Sequence, residues 1–396
     1  MHIPFSTILL LLPTLTLSTP HNPLIPISPL QPRSLPRNRT CTVTALGNNK
    51  DDSAALLAAI ASCNNGGIVA LHSPLYTIAT PLNLTYLSSI DFSIHGTIAF
   101  SPNVSYWSTA SFKYPFQDSA AFIQFGGTDV NFIGDGLGVI DGKGQVWYDA
   151  FAKNSDVVRP ILWVLNGLKG GSMTGLTMRN SPMWFNFFVG VQDFVVSGMT
   201  LEASSTSKSA VKNTDGWDTY QSSHLTIQNS TIHNQDDCVS FKPNSTDILV
   251  QNLYCNGSHG ISVGSLGQYP GVTDIVQDIV VRNTTLGYAS DAARIKVWAG
   301  EVPGSDYGTG GGNGVVKNIT YDGMTVVKDD YVVFKNFVGV ASSKHDPTVG
   351  TLVCSSKDKC SNISAQNINI TTPSGKTAKY TCTNMDNSLL AINCSS

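Results

Sequence analysis

The chain has 396 residues, enough for one large domain or two ordinary ones, and only 13% of them are charged. Its 24 basic and 27 acidic residues leave a net charge of −3, which argues against nucleic acid, a partner that wants a basic face. An anionic sugar polymer is not excluded, because a small local basic patch serves one.

The N-terminus reads "MHIPFSTILLLLPTLTLSTP". The apolar run Ile8–Leu17 has the length of a signal-peptide core and is too short to span a bilayer. Small residues Ser18 and Thr19 suit cleavage, so 1–19 read as a signal peptide. The proline-rich stretch 20–37 reads as a leader or pro-segment, and 38–396 as one folded domain without a linker. No later run is apolar and long enough for a membrane, and a secreted, extracellular, monomeric protein is expected.

Cysteines and sequons support the same compartment. The eight cysteines are even in number and locally clustered, which fits disulfides. Proximity suggests the pairs Cys41–Cys63, Cys238–Cys255, Cys354–Cys360 and Cys382–Cys394. Asn-X-Ser/Thr begins at Asn38, Asn83, Asn103, Asn229, Asn244, Asn256, Asn283, Asn318, Asn362, Asn369 and Asn393, which predicts a glycoprotein.

The helix expected first in the chain is Asp51–Cys63, "DDSAALLAAIASC", rich in Ala, Leu and Ile with an aspartate at its start as an N-cap. Beyond it the pattern is a repeat of short β-branched strands ending in Gly, Asn or Asp. The turn residues Gly134, Gly175, Gly198, Asn229, Asn252, Asn283 and Asp322 are spaced by 41, 23, 31, 23, 31 and 39 residues. Strand-sized pieces at such intervals predict an all-β fold, a single parallel β-helix whose open N-terminal end the helix caps.

The same ruler places the polar residues. Asp236 and His259 each lie seven residues past their turn asparagines, Asn229 and Asn252, and so share a station on successive coils. Asp215 falls near that station if the extra residues of its longer coil precede it. Arg294 and Lys296, two apart on the next coil, project to one side of a strand. Three carboxylates beside a basic strip suit glycoside hydrolysis, in which one carboxylic acid protonates the leaving oxygen and another carboxylate activates water or attacks the sugar. Crowding raises one carboxyl pKa and keeps a proton available, and the cations would meet a uronate carboxylate.

Four stretches carry a family resemblance. "NTDGWD" (213–218), "QDDC" (235–238), "SHGISVGS" (258–265) and "RIK" (294–296) occur in order. They resemble the four motifs of glycoside hydrolase family 28, the polygalacturonases, over nearly the whole mature chain, and "HGISVGSLGQY" with "RIKVW" is most similar to the fungal exopolygalacturonases within it. The resemblance implies a right-handed parallel β-helix and inverting hydrolysis of α-1,4-linked galacturonate in pectin. It implies Asp236 as general acid, Asp215 and Asp237 as the pair that holds and activates water, and His259 as support for the acid. Arg294 and Lys296, with Asn213 of the first motif, would bind substrate; no metal or cofactor is implied. Exo action is expected, with the segment Glu202–Lys212 as a candidate for closing one end of the cleft. The alternatives are an endopolygalacturonase, a xylogalacturonan hydrolase, a calcium-dependent lyase, and a non-catalytic β-helical carbohydrate-binding protein.

Two departures stand out. Ser258 occupies a position where many members carry glycine. After Asp330 a segment of roughly one coil is missing by comparison with the family, and Tyr331 is a poor substitute for the substrate-binding tyrosine that such a coil bears.

Overall fold

The computed structural model describes residues 36–298, 310–327, 332–335, 338–341, 343, 346–353, 363–384 and 386–395. The expected signal peptide and most of the expected leader lie outside them, as do Asn362, Cys354, Cys360 and Tyr331. Twenty strands form one continuous parallel sheet that winds as a β-helix, with register running from coil to coil. Phe194, Leu225, Ile248 and Ile279 stack in one interior row, and Val196, Ile227, Val250 and Val281 in another. Each row is buried, so the coils are held by like residues stacking on like, with the alternate positions turned outward.

The turn ruler describes real corners. Gly175, Gly198, Asn229, Asn252 and Asn283 all have positive φ, between 50° and 67°, a region that glycine and asparagine reach at least cost. Its last mark needs moving. Arg282 pairs with Asp322, so the residue opposite Asn283 is Gly323, also at positive φ, and not Asp322.

The capping helix α1 spans Ser53–Cys63 and buries Leu56, Ile60 and Cys63 over the end of the coils. Asp52 takes the N-cap position without capping. Its carboxylate instead accepts from the N–H groups of Leu46 and Thr77 at 2.7 and 2.8 Å. The aspartates thus fasten the helix to the first coils. Two short helices absent from the sequence reading interrupt later coils: α2 (Val104–Ala110) and α3 (Gln145–Lys153). The fold reaches back at least to Arg37, whose buried guanidinium pairs with Asp91 and Asp129 at 2.9 Å each.

Cys41–Cys63, Cys238–Cys255 and Cys382–Cys394 are bonded as expected. Among the described residues, Asn38, Asn83, Asn103, Asn229, Asn244, Asn283, Asn318, Asn369 and Asn393 are exposed and Asn256 is half-buried. No helix among those residues is long and apolar enough to cross a membrane.

Candidate active site

One face of the β-helix carries five strands that matter here: β1 (Asn186–Val189), β2 (Trp217–Tyr220), β3 (Val239–Phe241), β4 (Ile261–Leu266) and β5 (Ala293–Val297). Trp217, Val239 and Ile261 stack inward. The outward row runs Phe187, Asp218, Ser240, Ser262, Arg294 across the five strands. The carboxylates arrive just before their strands begin.

Asp215 and Asp237 each stand two residues ahead of the paired residues Trp217 and Val239. The surplus of the Asp215 coil does precede it: Glu202 pairs with His233, and the long segment follows Glu202. The station assigned to Asp236 and His259 is one residue off. Between the pairs His233/Asn256 and Val239/Ile261, the earlier coil has one residue more than the later. Asp237 therefore matches His259 by strand count, and Asp236 is the extra residue in the turn. This is how two adjacent aspartates enter one groove. The turn carries Asp236 outward, where its carbonyl accepts from His259 N–H at 2.7 Å and its Oδ1 accepts from Asp237 N–H at 2.9 Å.

Asp237 is fully buried and clamped by cations. Arg294 Nη2 meets Oδ1 at 2.7 Å, Lys296 Nζ meets Oδ2, and Ser262 Oγ donates to Oδ1 at 2.8 Å. Burial alone would raise its pKa, but Lys296, Lys242 and Arg294 outweigh it and bring the group to about 2. Asp236 pairs with His259 Nδ1 at 3.1 Å. Burial pushes Asp236 up, the His259 hydrogen bond pulls it down, and the net shift is downward. The same bond raises His259. Asp215 is buried, close to Asp218 and Asp236, and its pKa rises well above the usual carboxylate range, burial being the main cause.

Three residues that the sequence reading did not single out complete the site. Asp218, fully buried, and Lys242 pair at 3.0 Å, and the same ammonium lies 3.8 Å from Asp215. Burial pushes Asp218 to about 7, against the pull of Lys242. Two carboxylates around one ammonium in a dry site keep a proton between them. Asn234, also buried, donates to the carbonyls of Thr214 and Asp237 at 2.8 and 2.9 Å, tying the turn of Asp215 to that of Asp237. Strand alternation in "WDTY" turns Asp218 outward beside a catalytic turn, and the same alternation in "SFK" turns Lys242, one place past β3, to the same side.

The remaining expected residues are also here. Asn213 Nδ2 donates to Asp236 Oδ2 at 3.3 Å. Gly260 of the third motif has φ +83°, and a Cβ there would lie 2.3 Å from the carbonyl oxygen of Asp291, so the turn behind His259 requires glycine. Ser258 is accommodated, its Oγ accepting from Gly260 N–H at 2.8 Å. Asp236, Asp237 and His259 offer ligand atoms within 4.8 Å of one another, but the two cations on Asp237 already neutralise it.

On the lower-numbered coils the groove is filled. An antiparallel hairpin pairs Phe112–Tyr114 with Ser119–Ala121. At its tip Phe116 stacks on Tyr220 with ring centroids 4.2 Å apart and on Phe187 at 6.0 Å, while Trp184 packs edge-on to Phe187. Gln117 N–H donates to Tyr269 Oη at 3.2 Å, so the hairpin reaches coils far ahead in sequence. The segment expected to close the cleft, Glu202–Lys212, docks on α3: Thr206 N–H donates to Gln145 Oε1 at 2.7 Å and Ser207 Oγ to Asp149 Oδ1 at 2.6 Å. Of the aromatics near the motifs, Phe185 and Trp217 are buried core, and Trp184, Tyr220 and Tyr269 belong to this wall.

Comparison with known proteins bears on the same residues. The profile of the glycosyl hydrolases family 28 matches residues 63–394. A probable exopolygalacturonase X of Neosartorya fischeri is 47% identical over 405 residues, covering 95% of this chain and 92% of that protein. Exopolygalacturonase A of Aspergillus niger is 47% identical over 422 residues, with 97% of each chain covered. That alignment is longer than the chain's own 396 residues, so the relative has residues that this chain lacks. Among solved structures, the endo-xylogalacturonan hydrolase of Aspergillus tubingensis superimposes with a TM-score of 0.67 at 32% identity, covering 90% of this chain and all of that one. A hyperthermoactive exopolygalacturonase of Thermotoga maritima, at 17% identity and a TM-score of 0.58, shares the fold.

Proposed function

Because the chain belongs to glycosyl hydrolases family 28, we infer that this groove cleaves α-1,4-galacturonosyl bonds of pectin by inversion, and we assign its residues on that premise. The protein is a glycoside hydrolase acting on polygalacturonate, and its curated relatives are exopolygalacturonases. The observation that carries the reading is the gathering of Asp215, Asp236, Asp237, His259, Arg294 and Lys296 from four coils into one groove.

The roles follow from the contacts. Asp236 Oδ1 already accepts from Asp237 N–H and His259, while Oδ2 takes the longer Asn213 amide bond and keeps a lone pair to carry a proton toward substrate. That proton passes to the glycosidic oxygen as the bond to the anomeric carbon breaks. Water attacks the same carbon from the opposite face and yields its proton to Asp215, a carboxylate whose proton affinity burial raises. Asp237 is held ionised and orients that water. Arg294 and Lys296 keep donors for a uronate carboxylate at the open side.

Exo action is supported by the filled half of the groove. A chain threading past the carboxylates would have to displace Phe116 and its hairpin from Tyr220 and Phe187. A closed end admits only a chain terminus. The likeness to the endo-xylogalacturonan hydrolase favours one second reading, tolerance of xylose-bearing galacturonan. Secretion is part of the proposal and rests on the signal-like start, the disulfides and the sequons. The test is product analysis on polygalacturonate and on xylogalacturonan. Galacturonate monomer alone from the first substrate is expected, a ladder of oligomers refutes exo action, and preferred attack on the second substrate selects the other reading.

A further inference from the structure

Arg159 precedes the catalytic strands in sequence and lies outside every motif quoted above. It is buried. Among the described residues no carboxylate lies within 4 Å of its guanidinium, so no ion pair answers its charge. A buried cation without a partner is costly and calls for a reason. Its donors go to three oxygens: Pro182 O at 2.9 Å, Lys212 O at 2.8 Å and Asn213 Oδ1 at 2.6 Å. Phe151 covers the guanidinium, with its ring centroid 3.7 Å from Cζ.

The third contact decides the chemistry of Asn213. An asparagine carboxamide has an accepting end and a donating end, and its rotation is set by its partners. Arg159 can only donate. Asn213 must therefore turn its oxygen to Arg159 and its NH2 to Asp236 Oδ2, 3.3 Å away. Were the amide reversed, its oxygen would accept the proton on Asp236 Oδ2 and hold it away from the leaving group.

We propose that Arg159 is a positioning residue for the reaction: it locks Asn213 in the one amide orientation that leaves the transferable proton of Asp236 facing the substrate. The proposal rests on the assignment of Asp236 as the acid. Arg159 also ties down the carbonyl of Lys212, so the long segment after Glu202 delivers Asn213 and Asp215 at a fixed place. The charged groups around Asp236 are Asp215 from the turn before β2, Asp237 from its own turn, His259 from the turn before β4, and Arg159 itself. Arg294, Lys296 and Lys242 stand behind Asp237.

The test is the pH profile of kcat/KM on polygalacturonate for the full chain, with Arg159→Met, Arg159→Gln, Asn213→Leu and the double variant Arg159→Met/Asn213→Leu. The acid must be protonated, so its ionisation sets the alkaline limb. In Arg159→Met the freed amide favours protonated Asp236, and the limb should move up by roughly one pH unit while kcat falls by about tenfold. Asn213→Leu has no amide to reverse, so adding Arg159→Met should move the limb clearly less, by only what the lost charge contributes. An equal shift in both backgrounds, or no shift in either, overturns the proposal. If Arg159→Met does not fold, Arg159→Gln answers the question, because a carboxamide can donate or accept and no longer fixes the Asn213 amide, and an unmoved limb in the folded variant overturns the proposal as well. Asp236→Asn separates the two levels: full activity there rejects the acid assignment and the proposal with it, whereas an inactive Asp236→Asn beside an unmoved limb in the Arg159 variants overturns the proposal alone.

Discussion

The outer face of the catalytic sheet has two halves built on one interior. On the lower-numbered side, Phe187 and Tyr220 point outward and are covered by Phe116 and its hairpin. On the other side the outward residues are Asp218, Ser240, Ser262 and Arg294, in the same row and register. The inward residues stay buried across the boundary, Asn186, Trp217, Val239 and Ile261 in one row and Phe188, Thr219, Phe241 and Val263 in the next. The inner row therefore makes the coil, and the outer row decides whether a coil is wall or chemistry. The boundary falls within β2, where Asp218 belongs to the site and Tyr220, two residues on, belongs to the wall.

The strongest way to break this contrast is Asp236→Asn. It removes the transferable proton and keeps the shape of the turn, so turnover on polygalacturonate should fall by ~10³-fold or more while the circular dichroism spectrum stays unchanged. Substantial activity in a folded variant would mean that the polar half is not the reacting half as described. The protonation of Asp236 also fixes a direction with pH. Its pKa lies below the ordinary carboxylate value, so the protonated fraction grows as pH falls, and an acidic optimum is expected in a rate–pH profile.

Lys242→Met comes next. It strips the cation from two buried carboxylates, Asp215 and Asp218, and removing one partner of a buried pair costs about 3–5 kcal/mol. The sign with pH can be worked out. Both carboxylates have folded-state pKa values raised above their unfolded ones, so the folded state prefers them protonated, and stability is lost as pH rises through the raised values. The variant should unfold in urea nearly as late as the parent at pH 4 and much earlier at pH 7. An equal penalty at both pH values would show that Lys242 acts by packing and not by charge.

These two residues also mark how far the sequence could be read. The motif residues were legible because the chemistry tolerates few substitutes: adjacent aspartates before a cysteine, a histidine between small residues, a basic pair two apart. The coil was legible from its turn asparagines and glycines. The one-residue offset of Asp236 was not, because the ruler measures from corner to corner and the extra residue lies inside the turn. Asp218 and Lys242 look like ordinary polar positions of a strand until their burial is known. Phe116 and Arg159 act on residues far away in sequence, through contacts that no local pattern records. Asp52 misled in the opposite way, being a cap by position whose side chain is engaged elsewhere.

A milder perturbation tests the wall itself. Replacing Pro115–Asp118 by two glycines would remove Phe116 from Tyr220 and Phe187 and free Tyr269 Oη of Gln117. The carboxylates are untouched, so the rate should change by only a few-fold, while dimers and trimers of galacturonate should join the monomer among the early products. Monomer alone from a folded variant would show that the closed end lies elsewhere.

The smallest effect concerns the sequons and sharpens where bulk is tolerated. Asn83 stands on the walled half, paired in register with Gln124, and its Oδ1 accepts from Thr85 while its Nδ2 donates to nothing among the described residues. Asn256 lies three residues before His259, half-buried, with its Nδ2 bound to His233 Nδ1 at 3.0 Å. A glycan needs that nitrogen and space beyond it. Peptide mapping after enzymatic deglycosylation should find Asn83 converted to aspartate and Asn256 unchanged, and Asn83→Gln should leave kcat/KM within about two-fold of the parent, as surface changes do. A glycan at Asn256 in the active protein would place a large polar chain beside His259 and remove the distinction between the half that binds substrate and the half that does not.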